Sequence, residues 1–145
     1  MRTCYDQAMI NGVVLQKLET MDKVLAELRS LGSLQPTQLE QDWRTRRAVE
    51  RDLQVLVEIV IDICQRIISL LGASPATTAG EAIRRCIETG VLSDENGYRR
   101  MVQFRNIIVH RYEFVDPAIL ADMVNRRLDD FERFRSEVLV YVSSN

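Results

Sequence analysis

Apolar residues recur every three or four positions along most of the chain, which is the spacing of an amphipathic α-helix. From about Tyr5 to Leu31 they form one stripe. Its members are Ile10, Val14, Leu18, Met21, Leu25 and Leu28. Gly32-Ser33 follows directly and predicts the end of this helix, because glycine readily adopts the left-handed conformation that closes helices. The chain is therefore predicted to begin with one long amphipathic helix.

A second long helix is predicted from Pro36 to Leu71, where Gly72 would close it. Proline is tolerated in the first turn of a helix, and Thr37–Glu40 has the form of a capping box. The second half of this segment, LQVLVEIVIDICQRIISLL, is apolar on most sides. Its many Val and Ile residues favour a strand, but its length and its interspersed polar residues favour a helix. Such a helix is central, packed on several neighbours or on a partner chain.

Shorter helices are predicted in the second half of the chain. A capping box at Thr78–Glu81 starts one that runs to about Thr89. The polar stretch SDENG is a loop or a frayed helix start, and the next helix spans roughly Tyr98–His110. Asp116-Pro117 starts the last helix, whose apolar face continues to Tyr141. We therefore expect an all-α fold, an antiparallel helical bundle of about five helices, in one domain spanning residues 1–145.

Composition narrows the class of protein. Charged residues form 28% of the chain, which argues against a membrane span, and Asp6 and Asn11 interrupt the N-terminal apolar stretch that a signal peptide would need. Three cysteines without CxxC spacing do not fit a disulfide framework, and with one histidine they do not fit a structural zinc site. We therefore expect a cytoplasmic protein that holds no metal or other cofactor.

The net charge of −2 excludes a generic basic nucleic-acid binder, but the basic residues are unusual in kind. All but Lys17 and Lys23 of the 19 are arginines, whose planar guanidinium matches phosphate and carboxylate oxygens. They cluster as Arg44, Arg46, Arg47 and Arg51; Arg84 and Arg85; Arg99, Arg100, Arg105 and Arg111; and Arg126, Arg127, Arg133 and Arg135. Each cluster is either a solvated helix face paired with Glu and Asp or a local phosphate-binding surface.

The stretch FRNIIVHRY holds the only histidine and sets Arg105, Asn106, His110 and Tyr112 among apolar residues. Asn106 and His110, four apart, share a helix face. Arg105 and His110 are five apart, about 140° around a helix and roughly 7.5 Å along it, so they do not converge on one point. Either the helix ends or bends near His110, or the arginine reaches round, or each group works against its copy in a second chain.

These residue types suit RNA cleavage without a metal. Histidine gives or takes a proton near neutral pH, and arginine stabilises charge that develops on phosphate oxygens. Asn106 can fix the tautomer of the imidazole. One histidine per chain does not readily serve as both base and acid, but two chains would supply two. The structural alternative is that His110 is a buried, hydrogen-bonded imidazole and Arg105 with Asn106 a surface pair.

The segment Arg105–His110 resembles the Arg-polar-x3-His motif of the HEPN superfamily, small all-α domains that are often ribonucleases. Tyr112 extends the match to R-x4-H-x-Y, the signature of HepT-type toxins. The segments RRAVERDLQVLVEIVIDICQRIISLLG, EAIRRCIETGVLSDE and MVQFRNIIVHRYEFVDPAIL are also similar to that family, in the same order. The resemblance therefore covers most of the chain.

This resemblance implies a homodimer whose two facing motifs form a composite, metal-independent RNA-cleaving site for tRNA or mRNA, with Arg105 and His110 catalytic and Asn106 supporting them. It also implies a toxin of a type VII-like toxin–antitoxin system. The partner, a minimal nucleotidyltransferase antitoxin, would transfer AMP onto Tyr112 and block the site beside Arg105. Arg111 and Arg100 are possible RNA or phosphate contacts.

Other interpretations stay open from the sequence. The chain could be a non-catalytic interaction module that binds a nucleotidyltransferase, a nucleotide or RNA, or a plain structural bundle, with Tyr112 as an amphipathic ring closing a helix. Glu58 and Asp62 lie one turn apart on the central helix. They could anchor Arg105 or orient His110, or instead be surface acids or partners of Arg66.

Overall fold

The protein, described by a computed structural model for residues 4–110 and 115–144, consists of helices joined by short loops. In these ranges there are seven: α1 (Cys4–Ser30), α2 (Pro36–Gln41), α3 (Trp43–Leu70), α4 (Ala79–Glu88), α5 (Asn96–His110), α6 (Pro117–Arg126) and α7 (Leu128–Ser144). The described residues form no strand, so the predicted all-α class is confirmed. The described residues form seven helices rather than the predicted five or so because two of the predicted helices are interrupted.

Asp42 divides the predicted second helix into α2 and α3. Its backbone is extended, and its carboxylate accepts hydrogen bonds from the backbone N–H groups of Arg44 and Thr45 at 3.1 and 3.3 Å. A side chain that satisfies these groups starts a new helix and ends the old one. The predicted capping box at Thr37–Glu40 is wrong, since Gln35 is the N-cap of α2 and Pro36 its first residue.

Arg127 interrupts the predicted last helix between α6 and α7. Its φ of −113° and ψ of 0° leave the helical region, and its Nε atom lies 3.3 Å from a carboxylate oxygen of Asp122 on the preceding turn. Both halves still bury apolar faces, so an interruption of one residue leaves the three-and-four spacing nearly unchanged. Hydrophobic periodicity alone therefore does not reveal it.

Helix ends that depend on local chemistry are confirmed. The Thr78 hydroxyl accepts from the backbone N–H of Glu81, and the Asp116 carboxylate accepts from the backbone N–H of Ala118. Gly32, Gly72 and Gly90 have φ values of 69°, 78° and 83°, the left-handed conformation that closes α1, α3 and α4.

Contacts between side chains that are distant in sequence show the relative direction of the long helices. Lys17 on α1 pairs with Asp62 on α3 at 2.7 Å, and the Glu27 carboxyl hydrogen-bonds Asp52. Because the residue numbers rise on one helix and fall on the other, α1 and α3 are antiparallel. Arg135 of α7 pairs with Asp22 at 2.7 Å, and α7 lies along α1 as well.

The α3 helix is the centre of the bundle and packs against α1, α2, α4, α5 and α6. Ten of its side chains are buried, from Val49 to Ile68. Neighbours within the same chain therefore account for its apolar character, and the predicted central position is confirmed. Consequently this apolar run no longer favours a second chain. Within residues 4–110 and 115–144, no helix carries an apolar stretch long and uncharged enough to cross a membrane.

One hydrophobic core collects side chains from all seven helices. Near its edge the fully buried Tyr98 of α5 packs edge-on against Phe134 at 6.3 Å. Its hydroxyl donates to Glu137 on α7 at 2.9 Å, and burial together with this carboxylate raises the pKa of Tyr98. The first turn of α5 is thereby anchored, and the orientation of the rest of that helix follows.

Candidate active site

The candidate motif lies in the last two turns of α5, which is helical from Asn96 through His110. The helix is uninterrupted from Arg105 to His110, and His110 is its last described residue. Along this helix the two residues are about 140° apart around the axis and roughly 7.5 Å apart along it. The three possibilities therefore stay open: a helix end at His110, an arginine that reaches round, or groups that work against a second copy of the chain.

Arg105 is held at the edge of the core. Its side chain is 32% exposed, and its Nε atom lies 3.6 Å from a carboxylate oxygen of Glu58 on α3. That nitrogen is itself buried and donates no hydrogen bond to any described residue. The ion pair with Glu58 is therefore the polar contact described for this nitrogen, and it fixes the guanidinium at the junction of α3 and α5.

Arg105 and Asn106 line one side of an open cleft of about 580 Å³. Gln65 and Ile61 of α3 also line it, together with the segment from Ala76 to Gly80 at the start of α4, here called the wall of the cleft. The cleft is polar at both sides. It is large enough for a phosphate with part of a sugar, and its cation comes from Arg105.

The wall of the cleft, Ala76–Gly80, is fixed by two side chains. The Gln65 amide donates to the carbonyl of Ala76 and accepts from its backbone N–H, both at 2.9 Å. Glu81 accepts from the backbone N–H of Thr77 at 2.9 Å and from its hydroxyl at 2.8 Å. These hydrogen bonds hold the pKa of Glu81 below its ordinary value. The cleft is therefore preformed rather than closed by a loose loop.

The two acidic residues of the central helix have different partners. Glu58 pairs with Arg105, so of the alternatives for this residue the anchor is the correct one. Asp62 pairs with Lys17 at 2.7 Å and with Arg66 at 3.2 Å, as the alternative for that residue supposed. Hydrogen bonds from both cations lower the pKa of Asp62 although its burial opposes this.

The structure does not bring every predicted residue to the cleft. Arg100 lines a separate cavity of about 410 Å³ between α5 and α6 and lies 3.8 Å from Asp130 on α7. Arg111 and Tyr112 lie outside the described residues, and of His110 only the backbone is described, at the end of α5. Arg105 and Asn106 are thus the predicted site residues whose side chains meet in one place.

Among the residues that the structure describes, the cysteines and other potential metal ligands form no common site. Cys64 and Cys86 are free, buried thiols, and Cys86 donates to the carbonyl of Cys64 at 3.7 Å. Burial and the neighbouring thiol raise the pKa of Cys64, so it is a small core residue. In the part of the chain that the structure describes, no three His, Cys, Asp or Glu side chains come together as metal ligands.

Sequence reasoning missed the residues that shape the cleft. In the sequence, Gln65 is one of the polar residues within the apolar run of α3, and Thr78 predicts only the start of a helix. The signal available was that a buried helix rarely keeps an amide without a hydrogen-bond partner. It indicates that Gln65 has a partner, but not that the partner is Ala76.

Comparison with known proteins relates the chain to a family of nucleases. The sequence model of the family described as Ribonuclease HepT-like matches residues 21–138. A curated relative, the mRNA nuclease HepT of Shewanella oneidensis, is 23% identical over 127 residues, which cover 86% of this chain and 95% of the relative.

Solved structures show the same fold. The tri-AMPylated HEPN toxin of Shewanella oneidensis, in complex with its MNT antitoxin, matches with a TM-score of 0.77 and 22% identity over 88% of this chain and 97% of that one. YutE of Bacillus subtilis, a cytosolic protein of unknown function, matches with a TM-score of 0.74 and 14% identity over 92% and 90%. The fold is therefore shared both by a HEPN toxin and by a protein of unknown function.

Proposed function

Because this chain belongs to the HepT-like family of ribonucleases, we propose that it is the toxin of a type VII-like toxin–antitoxin system and cleaves tRNA or mRNA as an endoribonuclease. The observation that carries the proposal is the half-buried guanidinium of Arg105, beside Asn106 in an open cleft, on the helix that also carries the only histidine. A relative that is an mRNA nuclease, and a structural neighbour that is a toxin bound to an antitoxin, support it.

In the proposed reaction His110 takes the proton from a ribose 2′-OH. The resulting oxygen attacks the adjacent phosphorus, the bond to the 5′-oxygen breaks, and an acid protonates that leaving oxygen. Arg105 neutralises the charge that grows on the non-bridging phosphate oxygens, and Asn106 holds the imidazole or the phosphate in place. Each of these steps uses side chains alone, and we propose that the reaction needs no metal.

We further propose that the working unit is a homodimer. One histidine per chain would have to act as both base and acid, and the positions of Arg105 and His110 differ by about 140° around α5. Two copies with facing α5 helices would supply two imidazoles and two guanidinium groups to one site. The geometry of α5, rather than the apolar run of α3, supports this arrangement.

Regulation by AMPylation is the third part of the proposal. Tyr112 completes the R-x4-H-x-Y pattern, and the structural neighbour from Shewanella oneidensis is tri-AMPylated in complex with an MNT antitoxin. A nucleotidyltransferase partner would transfer AMP onto the Tyr112 hydroxyl. The added phosphate, close to Arg105, would compete with the substrate phosphate and fill the space that RNA needs.

The experiment uses protein treated with phosphodiesterase to remove any AMP, assayed on labelled tRNA and mRNA in excess EDTA. The wild type should cleave, while Arg105→Ala and His110→Ala should each lose at least about a hundredfold in rate, since each removes a group used in the transition state. Arg84→Ala, which removes an exposed arginine that pairs with Glu88 and does not line the cleft, should cleave normally. If the unmodified, dimeric wild type leaves RNA intact, the chain is an interaction module instead.

Mixing the wild type with the His110→Ala chain tests the composite site. After subunit exchange, shown by native mass spectrometry, a heterodimer keeps only one of the two imidazoles. If one shared site needs both, as base and acid, an equal mixture should keep about a quarter of the activity, which the remaining wild-type dimers supply. About half of the activity, the value expected when each chain works alone, would contradict the shared site.

A further inference from the structure

One arginine cluster differs from the other three. Every described arginine of the clusters at 84–85, 99–105 and 126–135 has a carboxylate oxygen between 2.6 and 3.9 Å away. Those clusters are therefore largely the solvated, paired helix faces of the simpler interpretation. In the cluster at the start of α3, neither Arg44 nor Arg51 has a carboxylate of a described residue within ion-pair distance. The charges of Arg44 and Arg51 act on the carboxyls of Asp42 and Asp52 without forming ion pairs and remain available to a partner.

The only tryptophan of the chain directly precedes this cluster and contacts two of its arginines. Trp43 is 56% exposed, and the guanidinium carbons of Arg44 and Arg47 lie 5.4 and 5.7 Å from the centre of its ring. The nearby Asp42 is occupied, because its carboxylate caps α3 and accepts from the Thr45 hydroxyl at 2.6 Å. An exposed indole with arginines at its ring is a stacking platform with positive charge around it.

The exposed stripe of α3 links this platform to the cleft. At 100° per residue, Trp43, Arg47, Arg51, Gln54, Glu58 and Gln65 fall within about 80° of one another. All of them are exposed or half-buried. Glu58 contacts Arg105, and Gln65 lines the cleft. The distance along the helix from Trp43 to Glu58, fifteen residues, is about 22 Å.

We propose that Trp43, Arg44, Arg47 and Arg51, here called the Trp43 surface, bind single-stranded RNA outside the cleavage site. A base stacks on the Trp43 indole, and the arginines hold the phosphates on either side of it. The strand then follows α3 for a few nucleotides and enters the cleft at Arg105. The inference rests on the proposed ribonuclease function for its substrate class, and it adds a binding surface remote from the catalytic residues.

Tryptophan and arginine also recur in protein interfaces, so an acidic protein is the competing partner. RNA is favoured because the same stripe of α3 runs for about 22 Å from Trp43 to Glu58 and there reaches Arg105 and the cleft, so one strand contacts positive charge at both ends of the stripe. Every RNA base has a flat face that stacks on the indole between the guanidinium groups, so such a surface accepts any RNA sequence.

The single tryptophan makes the test direct, because all indole fluorescence reports on this surface. The His110→Ala chain keeps RNA intact and is titrated with a fluorescein-labelled single-stranded dodecanucleotide RNA, with anisotropy read alongside Trp43 emission. We expect saturable quenching of Trp43. We also expect about tenfold weaker binding for Trp43→Ala and nearly full binding for Trp43→Phe, which keeps a stacking ring. Arg44→Ala and Arg47→Ala should each weaken binding and lower the salt dependence by about one counterion.

Arg84→Ala is the matched control, since it removes an exposed but ion-paired arginine. The inference is overturned if RNA binds with unchanged Trp43 emission and Trp43→Ala keeps the parental affinity. It is also overturned if a nucleotidyltransferase partner, and not RNA, quenches Trp43. Cleavage by the wild type is assayed separately. If RNA quenches Trp43 but is not cleaved by the wild type, the Trp43 surface binds RNA and the proposed ribonuclease function is wrong. If RNA is cleaved without quenching Trp43, the ribonuclease function holds and the proposed binding surface is wrong.

Discussion

Glu58 lies 3.6 Å from the buried Nε atom of Arg105 and ties the central helix α3 to α5, the helix that carries His110. The carboxylate faces the Nε edge of the guanidinium. The same side chain lines the cleft, where we propose that its guanidinium binds an anion. The pair therefore orients the arginine without consuming it.

The first prediction concerns this orientation. Glu58→Gln keeps the shape of the side chain but removes its charge, so Arg105 should sample other rotamers, and we expect kcat for RNA cleavage to fall about three- to tenfold. KM should change little, and the free energy of unfolding by no more than ~1 kcal/mol, because the pair is partly exposed. Steady-state kinetics and urea titration measure these quantities.

Glu88→Gln is the matched control, since Glu88 pairs with Arg84 at the same 3.6 Å on a surface away from the cleft. It should alter neither kcat nor KM. A Glu58→Gln protein with wild-type kcat would show that the pair is only structural.

The second prediction concerns the fixed wall of the cleft. Gln65→Leu removes both hydrogen bonds to Ala76 and leaves a part-buried N–H and C=O unpaired. The free energy of unfolding should fall by about 1–3 kcal/mol, and the wall should loosen. Chemical denaturation and hydrogen exchange of the Ala76 amide measure the two effects. Gln54→Leu, at a half-buried position of the same helix, should cost clearly less, and equal losses for both would contradict the role of the Gln65 amide.

The third prediction compares two glycines inside helices. A Cβ atom at Gly97 would lie 2.4 Å from a carboxylate oxygen of Asp130, whereas one at Gly12 would meet nothing within 4 Å. Gly97→Ala should therefore destabilise the fold by roughly 1–3 kcal/mol. Gly12→Ala should stabilise it by about 0.5–1 kcal/mol, because alanine favours helix. Thermal unfolding measures both changes.

Asp130 is held in place by Arg133 at 3.2 Å and Arg100 at 3.8 Å, so it does not move away freely. In an Asp130→Ala background the cost of Gly97→Ala should largely disappear. A cost that persists there would place its origin in the backbone of α5 rather than in the collision.

The fourth prediction concerns pH. Burial and a hydrogen bond to Glu27 raise the pKa of Asp52 to about 6, above the ordinary value of 3.8. The folded state therefore binds this proton more tightly than the unfolded state. The associated stability is complete below about pH 4 and is lost as the pH rises through about 6. Asp52→Asn should thus flatten this part of the pH profile and stabilise the protein at neutral pH.

The gain at neutral pH should be about 1 kcal/mol or less, because the carboxyl is only half-buried and solvent screens it. Urea unfolding between pH 4 and pH 7 measures the slope. Glu19→Gln removes the same charge from an exposed position of α1 and should leave the slope in place. An unchanged slope in Asp52→Asn would assign the pH dependence to other groups.

Features that depend on residues within about one turn were readable from the sequence. Thr78 and Asp116 cap helices through their own side chains, and glycines such as Gly72 close helices by adopting positive φ. The stripe in α1 and the apolar run in α3 predicted the long helices and the central position of α3. Each of these follows from local hydrogen bonds or from which face of a helix must avoid water. The motif on α5 and the family resemblance were likewise present in the linear sequence.

What the linear sequence left open was decided by packing between distant segments. From the sequence, Glu58 and Asp62 were both possible partners of Arg66. In the structure α5 places Arg105 beside Glu58. Arg66 pairs with Asp62, which also pairs with Lys17 of α1. The Gln65 contact with Ala76 likewise depends on how the loop after α3 folds back. Such contacts are set by the relative position of whole helices, which is fixed by the shared core and not by the local residue spacing.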